Sequence, residues 1–276
     1  MELYHEKMVN QINAEKSRSY YIPFDNTSFS LDKEKSNRVK LLTSFKFAFF
    51  EDFDENVFNC TPKDEMNVPF NWQIKGYDYN QYANYNYPFP FDFPRIDKEN
   101  PCGVYETCFV VKDLNVKRYI VFDGVDSCLY LLVNNKFVGY STVSHSQAEF
   151  DLTDYLVLGE NSIKIVVMKW CTGSYFEDQD KLRLSGIFRD VYILERPYDH
   201  ITDYKITTDI VDNDGIISIL CDKNIEVSLY DGDVLFVRIF FYFISFKTNF
   251  WLVSLFNKFY VCRFNVYSNI ISAVKF

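Results

Sequence analysis

The chain has 276 residues, of which 48% are hydrophobic, 24% charged and 19% aromatic. This length allows one large domain or two ordinary ones, and the composition is that of a folded protein rather than a disordered one. The formal net charge of −9 argues against a nucleic-acid-binding protein, for which a basic surface is expected. The N-terminal stretch contains no apolar segment typical of a signal peptide, so a cytoplasmic location is expected.

The seven cysteines are scattered along the chain, and no two of them form a C-x-x-C pair. An odd number of cysteines without close spacing is not typical of a disulfide framework or of a structural zinc site. We therefore expect reduced, mostly buried thiols.

Residues 1–39 are polar and of mixed charge, which indicates a surface arm; a short helix is expected within residues 2–18, before Pro23. From residue 40 to residue 197, short strand-like runs recur with turn residues between them and without a helical period. These runs are Ser44–Phe50, Val104–Val111, Lys117–Phe122, Ser127–Val133, Lys136–Tyr140, Ala148–Leu152, Ser162–Met168 and Ile187–Leu194. Asn134-Asn135 suits a two-residue hairpin turn because asparagine tolerates positive φ. The pattern predicts an all-β fold, an antiparallel sandwich or jelly roll.

The segment 71–94 is dense in aromatic residues and contains three prolines. Proline excludes a central strand or a helix interior, so a stiff, ordered loop is expected. Two interpretations stand. The segment is either a binding-site wall, in which rings stack on a ligand and an amide such as Asn84 binds hydroxyl groups, or a low-complexity stretch without function.

A second loop contains three acids, Glu177, Asp178 and Asp180, together with Arg183 and Arg189. Two carboxylates are the groups that glycoside hydrolysis requires, so Glu177 and Asp180 invite interpretation as an acid–base pair. Pairing of Glu177 and Asp178 with the two arginines at a protein surface is the plainer interpretation, and we favour it.

Four other side chains near these loops also invite a functional interpretation. A lone loop histidine such as His145 is usually neither a ligand nor a base, and Cys171 stands beside carboxylates that disfavour a thiolate. Trp72 and Trp170 have the rings that stack on sugars, but Trp170 follows a strand and a place in the core is favoured for it.

Residues 198–233 contain three strand-like runs, which are typical of the beginning of a second β-sandwich that is cut short. Residues 234–276 contain no Pro, Gly, Asp or Glu. A membrane anchor is disfavoured, because every 20-residue apolar window would include a lysine or arginine. A core β segment is an alternative. The preferred hypothesis is that this tail translates AT-rich non-coding or out-of-frame sequence.

The part of the chain from about residue 40 to residue 230 resembles the N-terminal region of β-galactosidases of glycoside hydrolase family two. The words that carry the resemblance are NWQ and GYD at 71–78, YANYNYP at 82–88, ENPCGVY at 99–105, VFDGVDS at 121–127, VGYS at 138–141, AEFDLT at 148–153, GEN at 159–161 and GSYFEDQDKLRLSGIFRDVYIL at 173–194. The resemblance implies a jelly-roll sugar-binding domain over 40–197 and an immunoglobulin-like sandwich, truncated here, over 198–233. The catalytic (β/α)₈ barrel that follows in the family has no counterpart in these residues.

Two residue roles follow from the resemblance. Asn84 matches an asparagine that contacts substrate hydroxyls, and Asp180 matches an aspartate that binds galactosyl hydroxyls and a sodium ion. The family's catalytic glutamates and magnesium ligands lie on the barrel, so no catalytic residue is assigned in this chain. Sodium and magnesium are implied for the full-length enzyme, and no cofactor is expected for the chain alone.

The resemblance therefore predicts the sugar-binding domain of a β-galactosidase, which is inactive without the barrel. The alternatives are a stand-alone carbohydrate-binding module and a non-functional truncation product. The expected partner is a β-galactoside sugar, with no nucleic acid and no membrane. A homo-oligomer and a barrel-bearing partner chain are both compatible with this prediction.

Overall fold

The computed structural model describes residues 3–5, 9–25, 32–82, 84, 87–96, 99–177, 180–211, 214–223, 225–231, 234–241, 249–252, 260–266 and 269–275. Side chains are described up to residue 209, apart from the gaps in these ranges, and again at 219–223 and at Val227. Every regular element in these ranges is a β-strand or a short 3-10 turn. The prediction of an all-β fold is therefore confirmed.

The chain contains the following strands in order. They are β1 Gln11–Ile12, β2 Val39–Leu41, β3 Ser44–Phe50, β4 Asp64–Asn67, β5 Gln81–Tyr82, β6 Cys102–Val111, β7 Lys117–Phe122, β8 Val125–Asp126, β9 Cys128–Val133, β10 Lys136–Ser141, β11 Ala148–Asp151, β12 Gly159–Met168, β13 Leu182–Arg183, β14 Gly186–Ile187, β15 Val191–Arg196, β16 Tyr204–Val211, β17 Asp214–Cys221, β18 Ile225–Asp231, β19 Val234–Phe241, β20 Asn249–Leu252, β21 Tyr260–Val266 and β22 Asn269–Lys275. The 3-10 turns are Leu3–His5, Lys33–Lys35, Glu55–Asn59, Trp72–Lys75, Thr153–Tyr155 and Thr172–Tyr175.

The chain divides into two compact units, one formed by residues 1–15 and 41–194 and the other by 16–40 and 195–276. The first unit is built around two sheets. A seven-stranded sheet has the order β1-β10-β9-β12-β6-β3-β4, and a four-stranded sheet has the order β11-β7-β15-β2. The two sheets share one hydrophobic core, which is the packing of a β-sandwich.

The alternation of side chains along β12 shows how this core forms. Ile163, Ile165 and Val167 are fully buried in the core between the sheets, because successive side chains of a strand point to opposite faces. Val166 and Met168 point the other way and belong to a second cluster, which the N-terminal segment and residues near 57 help to cover. Since both faces are buried, each of these side chains contributes about 1.5–3 kcal/mol.

The Asn134-Asn135 hairpin is as predicted. Both residues have positive φ, 50° and 62°, and they join β9 to β10 with Lys136 opposite Val133. Two consecutive residues in this conformation make the primed turn that matches the twist of the flanking strands. The local sequence was therefore sufficient to predict this connection.

The helix expected within residues 2–18 is wrong for the described residues of that range. Strand β1 pairs with β10 instead, with Gln11 opposite Ser141 and Ile12 opposite Tyr140. Gly139 makes this close approach feasible, because a Cβ atom there would lie 2.7 Å from the carbonyl oxygen of Ile12. Pairing at a sheet edge outweighs the weak local helix preference.

The second unit contains two further antiparallel sheets, in the orders β16-β17-β20 and β19-β18-β21-β22. Strands from residues 234–275 therefore pair with strands from residues 204–231, for example Gly215 with Leu252 and Val227 with Phe264. The described part of the tail is thus β-structure, which is one element of the alternative considered for it. The non-coding origin of the tail sequence stays a hypothesis. Among the described residues, no helix has the length and apolar character needed to cross a membrane.

Candidate sugar-binding site

Two short strands bring the two predicted site residues together. Strands β5 and β13 pair in antiparallel fashion, with Tyr82 opposite Leu182. Counting two residues outward from this pair leads to Asn84 on one side and to Asp180 on the other. Residues that are almost a hundred positions apart in the sequence thus come together beside one two-stranded sheet.

The hydroxyl group of Tyr82 links the two predicted residues. It donates a hydrogen bond to Oδ1 of Asp180 and accepts one from Nδ2 of Asn84 at 3.2 Å. Asn84 and Asp180 are both exposed, and Tyr82 is 52% exposed. An amide, a phenol and a carboxylate together offer both donors and acceptors to a polyhydroxyl ligand.

Tyr82 is a site residue that the sequence reasoning missed. The signal that points to it is its spacing from Asn84, because residues i and i+2 share one face of a strand. That signal becomes useful only when the segment is known to be extended, and a proline-rich aromatic loop does not indicate a strand.

The aromatic segment 71–94 packs its rings mainly against one another and against the loop after β12. The ring of Tyr175 lies 5.4 Å from that of Tyr87 and 5.2 Å from that of Phe89. Its hydroxyl donates to the carbonyl oxygen of Arg95 and lies 3.2 Å from that of Pro90. Tyr175 therefore holds the described residues 87–93 of this segment in place, which agrees with the prediction of an ordered loop.

Some aromatic rings of the two loops remain at the surface. Phe176 is 76% exposed and Phe91 is 74% exposed. Trp170 is 2% exposed, so the prediction that it lies in the core is confirmed. Trp72 is completely buried. Stacking of a sugar on either tryptophan is thus wrong for this structure. Among the described residues of the two loops, the exposed rings are those of Tyr79, Tyr82, Phe91 and Phe176.

A buried ion pair holds the aromatic loop against the end of β12. The Nζ atom of Lys169 lies 2.6 Å from a carboxylate oxygen of Asp78, and the two side chains are 3% and 5% exposed. Lys169 also donates to the carbonyl oxygen of Tyr79 at 3.3 Å and lies 4.5 Å from the centre of the Tyr79 ring. Because a buried charge is costly unless it is paired, this contact ties the loop firmly.

The ion pairs expected for Glu177 are wrong. Its carboxylate accepts a hydrogen bond from Oγ of Ser144 at 2.7 Å, whereas Nη2 of Arg183 donates to the backbone carbonyls of Glu177, at 2.6 Å, and of Ser174, at 3.1 Å. Arg189 donates to other backbone carbonyls. The fork of Arg183 matches the two carbonyl oxygens of a tight turn, which the sequence pattern does not reveal. The other acid of that expectation, residue 178, lies outside the described residues.

Asp126, His145 and Glu177 place potential metal-ligand atoms within 4.8 Å of one another. Both ring nitrogens of His145 already have partners, however. Nε2 lies 2.5 Å from the Nζ atom of Lys181, and Nδ1 contacts Oγ of Ser144. A lysine ammonium thus stands where a metal cation would bind the imidazole, and the cluster is a hydrogen-bonded network.

The sodium ion implied by the resemblance fits this site only in part. Asp180 and Tyr82 place two oxygen-bearing groups in contact, and both belong to the hard ligands that such a cation prefers. Hard cations usually take about six oxygen ligands. The described residues at this position therefore provide a fraction of a sodium site.

The fold and the site define a class of protein: a β-sandwich whose loops present hydroxyl-binding groups and exposed aromatic rings is typical of a sugar-binding domain. The family described as "Glycosyl hydrolases family 2, sugar binding domain" matches residues 39–197. The chain belongs to this family, and the resemblance found in its sequence words is confirmed.

Relatives of known function extend the match. A β-galactosidase from Actinobacillus pleuropneumoniae is 44% identical over 208 residues, which are 73% of this chain and 21% of the relative. A β-galactosidase from Staphylococcus xylosus is 37% identical over 245 residues, which are 83% of this chain and 24% of the relative. The chain thus spans less than a quarter of the length of these relatives.

Solved structures show the same fold. A β-glucuronidase from an uncultured Clostridium sp. superposes with a TM-score of 0.65 at 18% identity, covering 92% of this chain and 46% of that one. A β-glucuronidase from Bifidobacterium dentium gives a TM-score of 0.63 at 15% identity, covering 86% and 47%. Identities this low establish the architecture and leave the ligand open.

Proposed function

We propose that this chain forms one wall of the galactoside pocket of a β-galactosidase. The observation that carries the proposal is the meeting of Asn84 and Asp180 at the hydroxyl of Tyr82. The identity to named β-galactosidases supports galactose as the sugar.

Each group has a distinct role in the proposal. Asp180 accepts hydrogen bonds from galactosyl hydroxyls, and Asn84 both donates to them and accepts from them. Tyr82 holds the two side chains at a fixed spacing. The exposed ring of Phe176 offers an apolar face to the sugar or to the group attached to it.

The hydrolysis itself is assigned to the complete enzyme. Glycoside cleavage uses two carboxylates that flank the scissile bond, and the two described acids of this loop are otherwise engaged: Glu177 binds Ser144 and Asp180 binds Tyr82. In the proposal, a barrel in the complete enzyme provides the catalytic glutamates, the magnesium ligands and the remaining sodium ligands. The cytoplasmic location and the oligomer or partner chain expected from the sequence belong to the same proposal.

The test is a titration of the purified chain with galactose, lactose and glucose, in which calorimetry or ligand-observed NMR detects binding. We expect a Kd on the order of 1 mM for galactose and lactose, since half a site gives weak affinity. Asp180→Asn and Asn84→Ala should abolish binding, whereas Asp154→Asn, an exposed acid elsewhere on this unit, should leave it unchanged. Equal response to glucose, or no response to any sugar, would contradict the proposal.

A chromogenic β-galactoside tests the proposal that hydrolysis requires the complete enzyme. The isolated chain should give no turnover above the buffer background, and any Asp180-dependent turnover would show that the chain carries its own catalytic groups. Selective galactose binding without turnover also fits the stand-alone module, so co-purification with a barrel-bearing chain separates the two. Aggregation without any binding heat would favour the truncation product.

A further inference from the structure

We propose that Gln73 is the positioning residue that sets the spacing between the two halves of the sugar-binding site. The inference rests on the proposed function for its biological meaning, because the site it positions is the one formed by Asn84, Tyr82 and Asp180. The positioning role itself involves one side chain and the two loops that it joins, and it can be tested without any sugar.

The two segments that carry the site are joined at their base. The backbone N–H of Phe70 donates to the carbonyl of Ile187 at 2.8 Å, and that of Trp72 donates to the carbonyl of Ser185 at 3.2 Å. The same segments pair again at their tip, where β5 meets β13. Between base and tip the first segment makes a long excursion, residues 74–80, that strand pairing does not restrain.

The side chain of Gln73 lies at the base and binds both segments. Its Nε2 atom donates to Oδ2 of Asp78 at 3.3 Å, and its Oε1 atom accepts from the backbone N–H of Ser185 at 2.8 Å. Gln73 is 9% exposed, and Ser185 is buried. One amide therefore clamps the excursion to the returning chain.

Lys169, which follows β12, holds the Asp78 end of the clamp. Asp78 takes the hydrogen bond from Gln73 on the same oxygen, Oδ2, that contacts Nζ of Lys169. Lys169, Asp78, Gln73 and Ser185 thus form a continuous chain of contacts. These contacts connect the end of β12 to both segments that form the β5–β13 ladder.

An amide is the side chain that suits this position. It donates from nitrogen and accepts at oxygen from one rigid, planar group. A glutamate would keep the acceptor for Ser185 but would face the carboxylate of Asp78. A methionine has nearly the same length and would keep neither contact. The two replacements therefore separate the two ends of the clamp.

The consequence for the site follows from the register. Asp78 precedes Tyr82 by four residues, and Ser185 follows Asp180 by five residues. The contact between Tyr82 and Asp180 therefore depends on both ends of the Gln73 amide. Binding groups must be held within about 0.5 Å of their productive geometry, so loss of either end should separate the two halves.

The experiment uses the full chain and its variants Gln73→Met and Gln73→Glu. Two NMR readouts are recorded in the absence of sugar: hydrogen exchange at the Ser185 amide, and the ¹³Cζ shift of Tyr82, which reports its hydrogen bond to Asp180. Gln73→Met should accelerate exchange at Ser185 by about tenfold, the effect of losing one buried hydrogen bond, and should move the Tyr82 shift toward that of a solvated phenol. Gln73→Glu should move the Tyr82 shift in the same way and leave the Ser185 exchange close to that of the wild type.

Asn161→Ala is the matched control, because Asn161 is a buried amide that also bridges backbone groups but lies at the other end of β12. It should lower the melting temperature and leave both readouts unchanged. An unchanged Tyr82 shift in Gln73→Met would overturn the proposal, and so would a moved Tyr82 shift in Asn161→Ala. If the wild type binds no galactose while the NMR results are as expected, the proposed function fails and the positioning role of Gln73 stands.

Discussion

The two ends of strand β12 use buried amides for different purposes. At its beginning, Oδ1 of Asn161 accepts from the backbone N–H of Val157 at 2.9 Å and from Nδ2 of Asn134 at 2.8 Å. Nδ2 of Asn161 donates to the carbonyls of Val157 and Gly159. The amide of Asn161 is thus satisfied by groups of the fold itself.

The other end of β12 also has a buried polar network, and it holds the two segments that carry the exposed site residues. Lys169, Asp78 and Gln73 are buried, whereas Asn84 and Asp180 remain exposed. A buried network that is fully satisfied gives rigidity. Buried amide networks thus stabilise the fold at one end of β12 and support the candidate ligand site at the other.

The largest expected effect is that of Lys169→Met. Removing the ammonium leaves the Asp78 carboxylate buried without its partner, which typically costs about 3–5 kcal/mol. Urea denaturation should show this loss of unfolding free energy. The double variant Lys169→Met/Asp78→Leu should recover most of it without restoring the Tyr82–Asp180 contact. A single variant within about 1 kcal/mol of the wild type would show that the ion pair is not important for stability.

The second-largest expected effect is that of Asn161→Ala, at the beginning of β12. It removes a buried amide that hydrogen-bonds the backbone of Val157 and Gly159 and the side chain of Asn134, and each lost hydrogen bond costs about 0.5–1.5 kcal/mol. Denaturation should show the loss, whereas galactose titration should give the wild-type affinity. A fall in galactose affinity as large as that of the site variants would show that both ends of β12 support the site.

Tyr82→Phe should affect binding and not stability. The hydroxyl is at the surface, so the unfolding free energy should change by less than about 0.5 kcal/mol. The loss of one hydrogen-bonding group that positions Asn84 and Asp180 should weaken galactose binding by about fivefold. Calorimetry and thermal denaturation of the same preparation separate these effects, and Tyr198→Phe, another exposed tyrosine, provides the matched control.

The smallest expected effect concerns pH and Asp126. Burial raises the pKa of the Asp126 carboxyl above its ordinary value of 3.8, and the nearby Arg183 guanidinium opposes part of this rise. The unfolded chain therefore loses this proton at lower pH than the folded chain, and stability falls as the pH rises through the raised pKa. Asp126→Asn keeps an acceptor for Ser127 and should be more stable than the wild type at about pH 7, with no gain at about pH 3. Equal gains at both values would exclude ionisation of Asp126 as the cause.

Much of the sandwich was predictable from alternation and turn chemistry. The bounds predicted for β3 and β7 coincide with the strands observed, and the Asn134-Asn135 turn has the expected positive φ values. These elements are specified by neighbouring residues, through side-chain period and local backbone preference. The N-terminal helix was wrong because its residues pair with β10, which lies more than a hundred positions away.

The candidate site was predictable only through two of its members. Asn84 and Asp180 follow from sequence words that resemble a family, and the structure places both at Tyr82; their roles in sugar binding stay predictions. The partners of Glu177 and Arg183 were wrong for two reasons. Backbone carbonyls compete with carboxylates for the guanidinium donors of Arg183, and the hydroxyl of Ser144 competes with the arginines for the carboxylate of Glu177. No spacing rule in the sequence distinguishes these partners.

The sequence by itself determined the all-β class, the family and the pair Asn84 and Asp180. Alternation, turn residues and long sequence words carry that information locally. Only the tertiary structure decided that Tyr82 joins the pair and that Gln73 clamps the loops beneath it. The physical reason is that the register between β5 and β13 depends on long-range pairing and on a buried amide, and neither leaves a local pattern in the chain.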